Sequence, residues 1–352
     1  DLVVVDKLYI YDNDGGEYIS GDGTDLTITA GTDLNLTAGT DINIPVNVGL
    51  RFGDGGENIE TDNTSLTITA ATASALVLDA NSRISLSNND SGGTGGDDSL
   101  SSNTVFGYLA GASIASGDIR NSFFGHRAGG SSTGHLNVMV GAMAGDSVAG
   151  GTSNTILGGR AFNTADGTES NNIVIGADAG ASLNNDSTAG NIIIGNDAGT
   201  GGTGAMIDCV SIGLNAMNST AGNAQTGTIA IGKDALTALT SGAGNTAIGY
   251  QAGDALTTGA RNLAIGYTAL STSIVSSADN IAIGYNAMNG TGTSAASLYN
   301  VAVGNYTMNG NQNDSNYNVA IGNNAMCANT GGTYTIAIGH HAMAASSAAS
   351  NI

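Results

Sequence analysis

The chain has 352 residues, including 55 Gly and one Pro, and its formal net charge of −21 includes only eight Lys and Arg. The Gly residues follow no Gly-X-Y period, which excludes collagen, and an apolar fraction of 41% argues against disorder. The acidic balance argues against nucleic acid as a partner, because phosphate contacts need a basic face. Apolar residues come in runs of three or four, too short for membrane insertion.

The N-terminal region, residues 1–87, carries its own repeats. Residues 8–30 return in altered form at residues 50–70, and Thr-Asp-apolar triplets begin eight residues apart at 24, 32 and 40. Each triplet opens an alternating strand such as Leu26–Thr29. Strands this short cannot bury one face alone. We therefore predict a β-rich shaft that partner chains or neighbouring coils complete.

A linker follows the shaft. Residues 88–102 are Gly, Ser, Asp, Asn and Thr with one Leu, a composition typical of a flexible or loop-forming junction. The sequence thus predicts four parts: a shaft at 1–87, the linker at 88–102, a repeat domain at 103–345 and a C-terminal tail at 346–352.

One phrase recurs fourteen times in the repeat domain: an apolar run, a Gly, two variable residues and then, with one exception, Ala. The Gly residues, counted here as position zero, are 16 to 20 residues apart: Gly107, Gly125, Gly141, Gly158, Gly176, Gly195, Gly213, Gly232, Gly249, Gly266, Gly284, Gly304, Gly322 and Gly339. Such a period indicates one stacked supersecondary unit. We predict an all-β fold, a parallel β-roll or β-solenoid of about fourteen rungs and roughly 65 Å in length.

Position −4 is Asn in eleven of the fourteen repeats, the exceptions being Cys209, Thr228 and Thr335. Because stacked coils place equivalent residues above one another, this pattern predicts a structural ladder of amides. In the later repeats the ladder comprises Asn245, Asn262, Asn280, Asn300 and Asn318. The alternative is a row of polar ligand contacts.

Positions −2 and +4 exchange volume along the chain. Early repeats combine a large −2 residue with Gly at +4, as in Phe123 with Gly129, whereas late repeats combine Ala with Met or Leu, as in Ala282 with Met288. Close packing penalises uncompensated volume changes, so the two positions are expected to fill one shared space. We place that space between neighbouring subunits, with both strand faces buried, which favours an oligomer.

Three tyrosines, Tyr250, Tyr267 and Tyr285, occupy position +1 on consecutive rungs. They are expected to stack about 5 Å apart as an aromatic stripe. Because Tyr rings stack on sugar faces, the stripe is the candidate glycan-binding site. The alternative is packing between rungs or between subunits.

The two cysteines, Cys209 and Cys327, are six rungs apart, which places them roughly 29 Å from each other. A disulfide needs Cα atoms within about 7 Å. Both are therefore expected to be free thiols.

Neither a cofactor nor a metal site is predicted. The four His residues, His126, His135, His340 and His341, have no metal-ligand spacing, although a trimer axis could gather three copies of His340 or His341. The segment from Asp12 to Glu17 has the oxygen-rich look of a Ca²⁺ loop but lacks its full ligand set. A plain Asp/Gly turn is the alternative.

The phrases that begin at Asn245, Asn262 and Asn280 resemble head repeats of trimeric autotransporter adhesins and the related repeats of bacteriophage tail fibres. The Thr-Asp-Leu-Thr-Ile-Thr-Ala phrase near the N-terminus looks like trimeric phage-fibre shafts. The resemblance implies an elongated homotrimeric fibre whose partners are copies of itself, other virion tail proteins and a host-surface glycan or protein.

The function expected from this resemblance is structural and adhesive, in the virion tail. The alternative is a bacterial trimeric autotransporter adhesin at the cell surface. A third possibility is a polysaccharide depolymerase with paired carboxylates. Because no catalytic insertion interrupts the repeats, an enzyme is not predicted.

Overall fold

The structure is a computed structural model. It describes residues 18–21, 26–29, 103–115, 117–220, 222–272, 277–290, 297–310, 315–328 and 332–344. The chain divides into two compact units, Asp1–Ser82 and Arg83–Ile352. Several predicted features lie outside the described residues: the segment Asp12–Glu17, the second shaft repeat at 50–70, the linker at 88–102 and the tail at 346–352.

In the first unit, strand β1 (Tyr18–Gly21) pairs with β2 (Leu26–Thr29) in an antiparallel hairpin. Ile19 lies opposite Ile28 in this register. The alternating pattern predicted the second of these strands with the same boundaries.

The second unit is built on one parallel sheet of fourteen three-residue strands that follow one another in chain order. These strands are β3 (Thr104–Phe106), β4 (Ser122–Phe124), β5 (Val138–Val140), β6 (Thr155–Leu157), β7 (Ile173–Ile175), β8 (Ile192–Ile194), β10 (Val210–Ile212), β12 (Ile229–Ile231), β13 (Thr246–Ile248), β14 (Leu263–Ile265), β15 (Ile281–Ile283), β16 (Val301–Val303), β17 (Val319–Ile321) and β18 (Ile336–Ile338). A separate parallel pair consists of β9 (Met206–Ile207) and β11 (Gln225–Thr226).

The repeat frame sets the sheet register. Ala282, at position −2, pairs with Ala264 on one side and Ala302 on the other, and positions −3 and −1 pair with their equivalents in the same way. Each repeat is therefore one turn of a solenoid. The predicted parallel β-solenoid is confirmed.

Each turn reverses direction through residues with positive φ at positions 0, +2 and +4. In one turn these are Gly284 (137°), Asn286 (53°) and Met288 (51°). The left-handed region is costly for residues with a Cβ. Here the Asn286 N–H donates to the Tyr267 carbonyl at 3.0 Å, and the Met288 N–H donates to the Thr307 carbonyl at 2.9 Å. Hydrogen bonds between coils thus continue through the turn and hold it in this conformation.

Position zero requires Gly for two independent reasons. Its φ lies near 135° throughout, a region that is strained for any other residue. In addition, a Cβ on Gly284 would lie 2.5 Å from the carbonyl oxygen of Gly304 on the next coil. The absence of a side chain is therefore what lets adjacent coils approach to strand spacing.

Replacing Gly284 with Ala should destabilise the solenoid by more than the same change at Gly339. Both glycines have φ near 130°, so backbone strain of about 1–3 kcal/mol applies to each. Among the described residues, however, a Cβ at Gly339 meets nothing nearer than the Ala342 Cβ at 4.0 Å. Denaturant unfolding of the two variants measures the difference. Equal losses would show that coil-to-coil clash adds nothing at Gly284.

The Asn residues at position −4 form a buried ladder. The backbone N–H of Asn300 donates to Asn280 Oδ1 at 3.0 Å, and Asn300 Nδ2 donates to the same oxygen at 3.1 Å. Asn280 Nδ2 donates to the Ser297 carbonyl at 2.8 Å. All eleven Asn side chains are buried. Asn280 Nδ2 also donates to Asn262 Oδ1 on the preceding coil, so one amide connects three consecutive coils.

The ladder has two segments rather than one. The first runs from Asn103 to Asn191 and ends where the Cys209 N–H donates to Asn191 Oδ1 at 2.9 Å. The second runs from Asn245 to Asn318 and ends in the same way at Thr335. Between them, the hydroxyl of Thr228 is buried and has no partner among the described residues. The ladder is thus interrupted where the sequence departs from Asn.

Substitutions in the ladder should have opposite effects at its middle and at its break. Asn280→Ala removes the acceptor of the buried Asn300 N–H and the amide that donates to the Ser297 carbonyl, which should cost about 1–3 kcal/mol. Thr228→Asn supplies a ladder amide next to Asn245 and should stabilise by about 1 kcal/mol. Equilibrium unfolding tests both, with Thr228→Ala as the control for volume. A neutral Asn280→Ala variant would contradict the role of the ladder.

The core lies inside each coil, where positions −2 and +4 meet. A Cβ at Gly129 would lie 2.8 Å from the Phe123 ring, and one at Gly145 would lie 2.6 Å from Met139 Sδ. In the later rungs Ala282 and Met288 are both buried in the same core. The shared space is real, but its expected location between subunits was wrong.

Within a single chain only one face of each strand is buried, so the expected burial of the second face in an oligomer stays a prediction. Position −2 points into the coil, whereas the residues at −3 and −1 remain partly or well exposed, as the burial patterns of β15 and β18 show. We call the surface formed by positions −3 and −1 the outer face. A three-residue strand has only one inward side chain, at position −2. The compensating sizes of positions −2 and +4 therefore reflect packing in the interior of a single chain.

Ala282→Phe should destabilise the solenoid by overpacking, by roughly 1–3 kcal/mol or more. The double variant Ala282→Phe/Met288→Gly reproduces the early combination of Phe123 with Gly129 and should recover part of the loss. A double-mutant unfolding cycle measures the coupling between the two positions. Strict additivity would contradict a shared volume.

Candidate ligand-binding surface

The candidate site consists of the tyrosines that follow the turn Gly. Tyr250, Tyr267 and Tyr285 are 36%, 49% and 40% exposed. Ring centroids are 4.8 Å apart for the first pair and 5.5 Å for the second, with interplanar angles of 15° and 22°. The structure therefore brings these residues together as an exposed stack. Their role in binding stays a prediction.

The two ends of this stack differ. Lys233 Nζ lies 5.6 Å from the centroid of the Tyr250 ring, a cation–π contact at one end. At the other end Tyr306, at position +2, stands edge-on to Tyr285, with centroids 5.2 Å apart and an angle of 74°. A hydrogen bond to Tyr285 raises the pKa of the Tyr306 hydroxyl. We call Tyr250, Tyr267, Tyr285 and Tyr306 the first tyrosine ladder.

A second tyrosine ladder lies on the other side of the strands. Tyr299, Tyr317 and Tyr334 occupy position −5 on the last three rungs, and all are well exposed. Their centroids are 4.9 and 5.1 Å apart, with interplanar angles of 12° and 3°. Seven of the eleven Tyr residues thus lie between Tyr250 and Tyr334.

Sequence reasoning missed the second ladder and Tyr306. A signal was available, because Tyr directly precedes a position −4 residue in three consecutive repeats. The same column carries a rung-to-rung ion pair earlier, where Arg261 Nε donates to Asp279 Oδ1 at 2.7 Å. Position −5 is therefore a column in which side chains of successive coils pair with one another.

Stacking changes what these tyrosines can offer a ligand. Rings about 5 Å apart and nearly parallel cover much of each other's faces. A sugar cannot stack on a face that another ring already covers, so the expected sugar-on-ring contact is unavailable along most of the first ladder. The ring edges and the phenol hydroxyls are what the ladder presents outward.

Uncharged polar side chains accompany the first ladder at position +2. They are Gln251, Thr268 and Asn286, each half-buried. Thr268 Oγ1 contacts Asn286 Oδ1, which in turn accepts a hydrogen bond from Asn289 Nδ2 at 2.8 Å. These contacts fix a row of amides and hydroxyls beside the rings.

The surface around both ladders carries little charge. From residue 245 to residue 344, a range that covers both ladders, the sequence has three carboxylates, Asp254, Asp279 and Asp314, one Arg, Arg261, and no Lys. Earlier rungs carry acidic residues at position +2, namely Asp178, Asp197 and Asp234. The later rungs are thus a weakly charged stretch on a strongly acidic chain.

Other candidates lead to packing rather than to a site. His340 and His341 contact each other edge-on at 4.1 Å, and His126 stacks on Tyr108 at 5.8 Å. Within the part of the chain that the structure describes, no group of three or more His, Cys, Asp or Glu side chains could hold a metal ion. Cys209 and Cys327 are free thiols.

The Asn ladder offers little to a ligand. Its amides are buried and are engaged with one another and with loop carbonyls, as at Asn262 and Asn280. The ladder therefore holds the coils together.

No helix among the described residues is long and apolar enough to cross a membrane. No protein-family model matches the chain, and no curated protein is significantly similar to it in sequence.

One carboxylate near the first ladder has a buried oxygen without a hydrogen-bond partner among the described residues. It belongs to Asp254, which lies four residues after Tyr250, and the buried atom is Oδ1. Burial raises the pKa of this carboxyl to about 6, and the nearby Asp234 adds to the effect. Because the folded-state pKa exceeds the unfolded value, the carboxyl favours folding below about pH 4, and this contribution is lost as the pH rises towards 6.

Asp254→Asn should therefore stabilise the protein at pH 8, by about 1 kcal/mol once solvent screening is allowed for, and the gain should disappear near pH 3. Thermal unfolding across this range is the measurement. Asp279→Asn is the control of opposite sign, because its hydrogen bond to Arg261 lowers the pKa of Asp279. A pH-independent gain at residue 254 would contradict the burial argument.

Proposed function

We propose that this chain is a segment of an elongated homotrimeric phage tail fibre that presents a glycan-recognition surface to its host. The repeat frame and its resemblance to fibre and adhesin repeats support the class of protein. The proposal assigns the segment a structural and adhesive role and no catalytic one. Its assembly partners would be two further copies of itself and other virion tail proteins.

The outer face supports self-association. All fourteen residues at position −1 are apolar, as are ten of the fourteen at −3, and none of the 28 is buried within the chain. The face runs roughly 60 Å, and its two rows are roughly 7 Å apart. Soluble monomers rarely expose a contiguous apolar surface of this extent. Further copies of the chain would cover this face most simply. Three copies are proposed because the repeats resemble those of trimeric fibres and adhesins.

Mass measurement in solution tests the assembly. We expect a trimer, because burial of the outer face stabilises association, and Ile265→Lys/Ile283→Lys should weaken it by placing charges on that face. Ser187→Lys, at an exposed position away from the strands, is the matched control and should remain a trimer. A stable, soluble wild-type monomer would contradict the proposal.

The first tyrosine ladder is the single observation that supports recognition. It is exposed, neutral and regular, whereas the outer face is apolar and suited to assembly. Aromatic rings beside amide and hydroxyl groups combine apolar area with hydrogen-bonding groups, as ligand sites do.

The triple variant Tyr250→Ala/Tyr267→Ala/Tyr285→Ala should lose most binding on an array of bacterial surface glycans while remaining a trimer. Tyr108→Ala is the control, since Tyr108 occupies the same position +1 and is 73% exposed but lies far from the ladder along the chain. Unchanged glycan binding by the triple variant would show that recognition lies elsewhere.

A further inference from the structure

We infer that the first tyrosine ladder, with the polar side chains beside it, binds a neutral linear glycan that lies along the solenoid axis with one sugar unit per rung. The inference rests on the proposed function and specifies the ligand class of the same site. It is carried by three features of the described residues: the spacing of the ladder, the groups it presents and the charge around it.

The spacing selects a repeating ligand. Three parallel rings recur in column +1 with centroids 4.8 and 5.5 Å apart, and Tyr306 follows from column +2 with its centroid 5.2 Å from that of Tyr285. A pyranose in an extended, equatorially linked chain is about as long as one such interval. A chain of this kind stays in phase over four rungs, whereas a branched or tightly helical glycan does not.

The groups presented suit sugar hydroxyls. Stacking leaves the ring edges and phenol hydroxyls outward, and Gln251, Thr268 and Asn286 add amide and hydroxyl groups in the next column. Phenols, amides and hydroxyls both donate and accept hydrogen bonds, as sugar hydroxyls do. The affinity should therefore depend on the phenol hydroxyls along the stack.

Tyr306, at the last rung of the first tyrosine ladder, is oriented differently from the three stacked rings. Its ring is nearly perpendicular to that of Tyr285 and is 39% exposed, so the parallel stack does not continue at this end. One face can take the C–H side of a sugar ring at this end. The ladder thus has a direction, with a ring face at Tyr306 and the Lys233 contact at Tyr250.

The charge distribution selects a neutral glycan. Positions +1 and +2 of the four rungs carry no charged side chain: Tyr250, Gln251, Tyr267, Thr268, Tyr285, Asn286, Asn305 and Tyr306. The ion pair of Lys233 with Asp234, at 3.6 Å, lies at one end of the ladder, and that of Arg261 with Asp279 lies in column −5. The net charge of −21 repels an anionic polymer at long range. A neutral chain avoids that repulsion.

The test uses the full chain in its assembled form and a size series of neutral probes. Calorimetry is run with β-1,4-linked glucose and N-acetylglucosamine oligomers of one to six sugars and with oligogalacturonates as anionic probes. In at least one neutral series the affinity should rise at least tenfold from the monosaccharide to the tetramer and then level off. The anionic probes should bind at least tenfold more weakly than the matched neutral length.

Two variants separate hydroxyl contacts from ring contacts. Tyr250→Phe/Tyr267→Phe keeps the stack and should reduce tetramer affinity at least fivefold, and Tyr306→Leu should reduce it by a similar factor. Tyr108→Phe is the matched control and should leave the affinity unchanged. Mass measurement confirms that each variant keeps the assembly of the wild-type chain.

Several outcomes would overturn the inference while the proposed function stands. In each of them the triple Ala variant loses glycan-array binding. The overturning result is then equal binding of monomer and tetramer, preference for the anionic probes, an unaffected double Phe variant, or binding of none of the neutral probes. If the triple Ala variant instead keeps its array binding, the proposed recognition role of the first tyrosine ladder is itself contradicted.

Discussion

The buried Asn amide found in eleven of the fourteen turns is the interaction on which the structure depends. A strand of three residues offers few ladder hydrogen bonds, and each turn holds several residues in the left-handed region at a cost. The amide of Asn280 offsets this by bonding to the Asn300 N–H and the Ser297 carbonyl, so consecutive coils are fixed at both the strand and the corner. Gly at position zero then permits the close backbone approach that this bonding requires.

Stacking in one register turns every outward position into a column of neighbouring side chains. Column −5 shows the consequence: it holds the ion pair of Arg261 and Asp279, then the aromatic stack that begins at Tyr299. Column +1 likewise changes from Lys233 to a run of Tyr rings. A ligand meets groups repeated at strand spacing, so the surface suits a ligand that repeats as well. The proposed glycan specificity follows from this regularity.

The sequence predicted the features that depend on periodicity. The Gly frame predicted the register that pairs Ala282 with Ala302, and the +1 column predicted the stacking of Tyr250 on Tyr267. It could not locate the volume shared by positions −2 and +4, because a pattern of sizes is the same whether the space lies within one coil or between chains. Nor could it predict the edge-on ring of Tyr306, which depends on local geometry after Asn305 takes position +1.

Hydrogen–deuterium exchange resolved along the chain tests the central role of the Asn ladder most directly, because protection reports local stability. The account predicts slow exchange in the strands from Ser122 to Ile194 and in those from Thr246 to Ile321, with faster exchange in the strands between Met206 and Ile231, where the ladder is interrupted. Uniform protection through that stretch, or ladder segments that exchange as fast as it does, would contradict it.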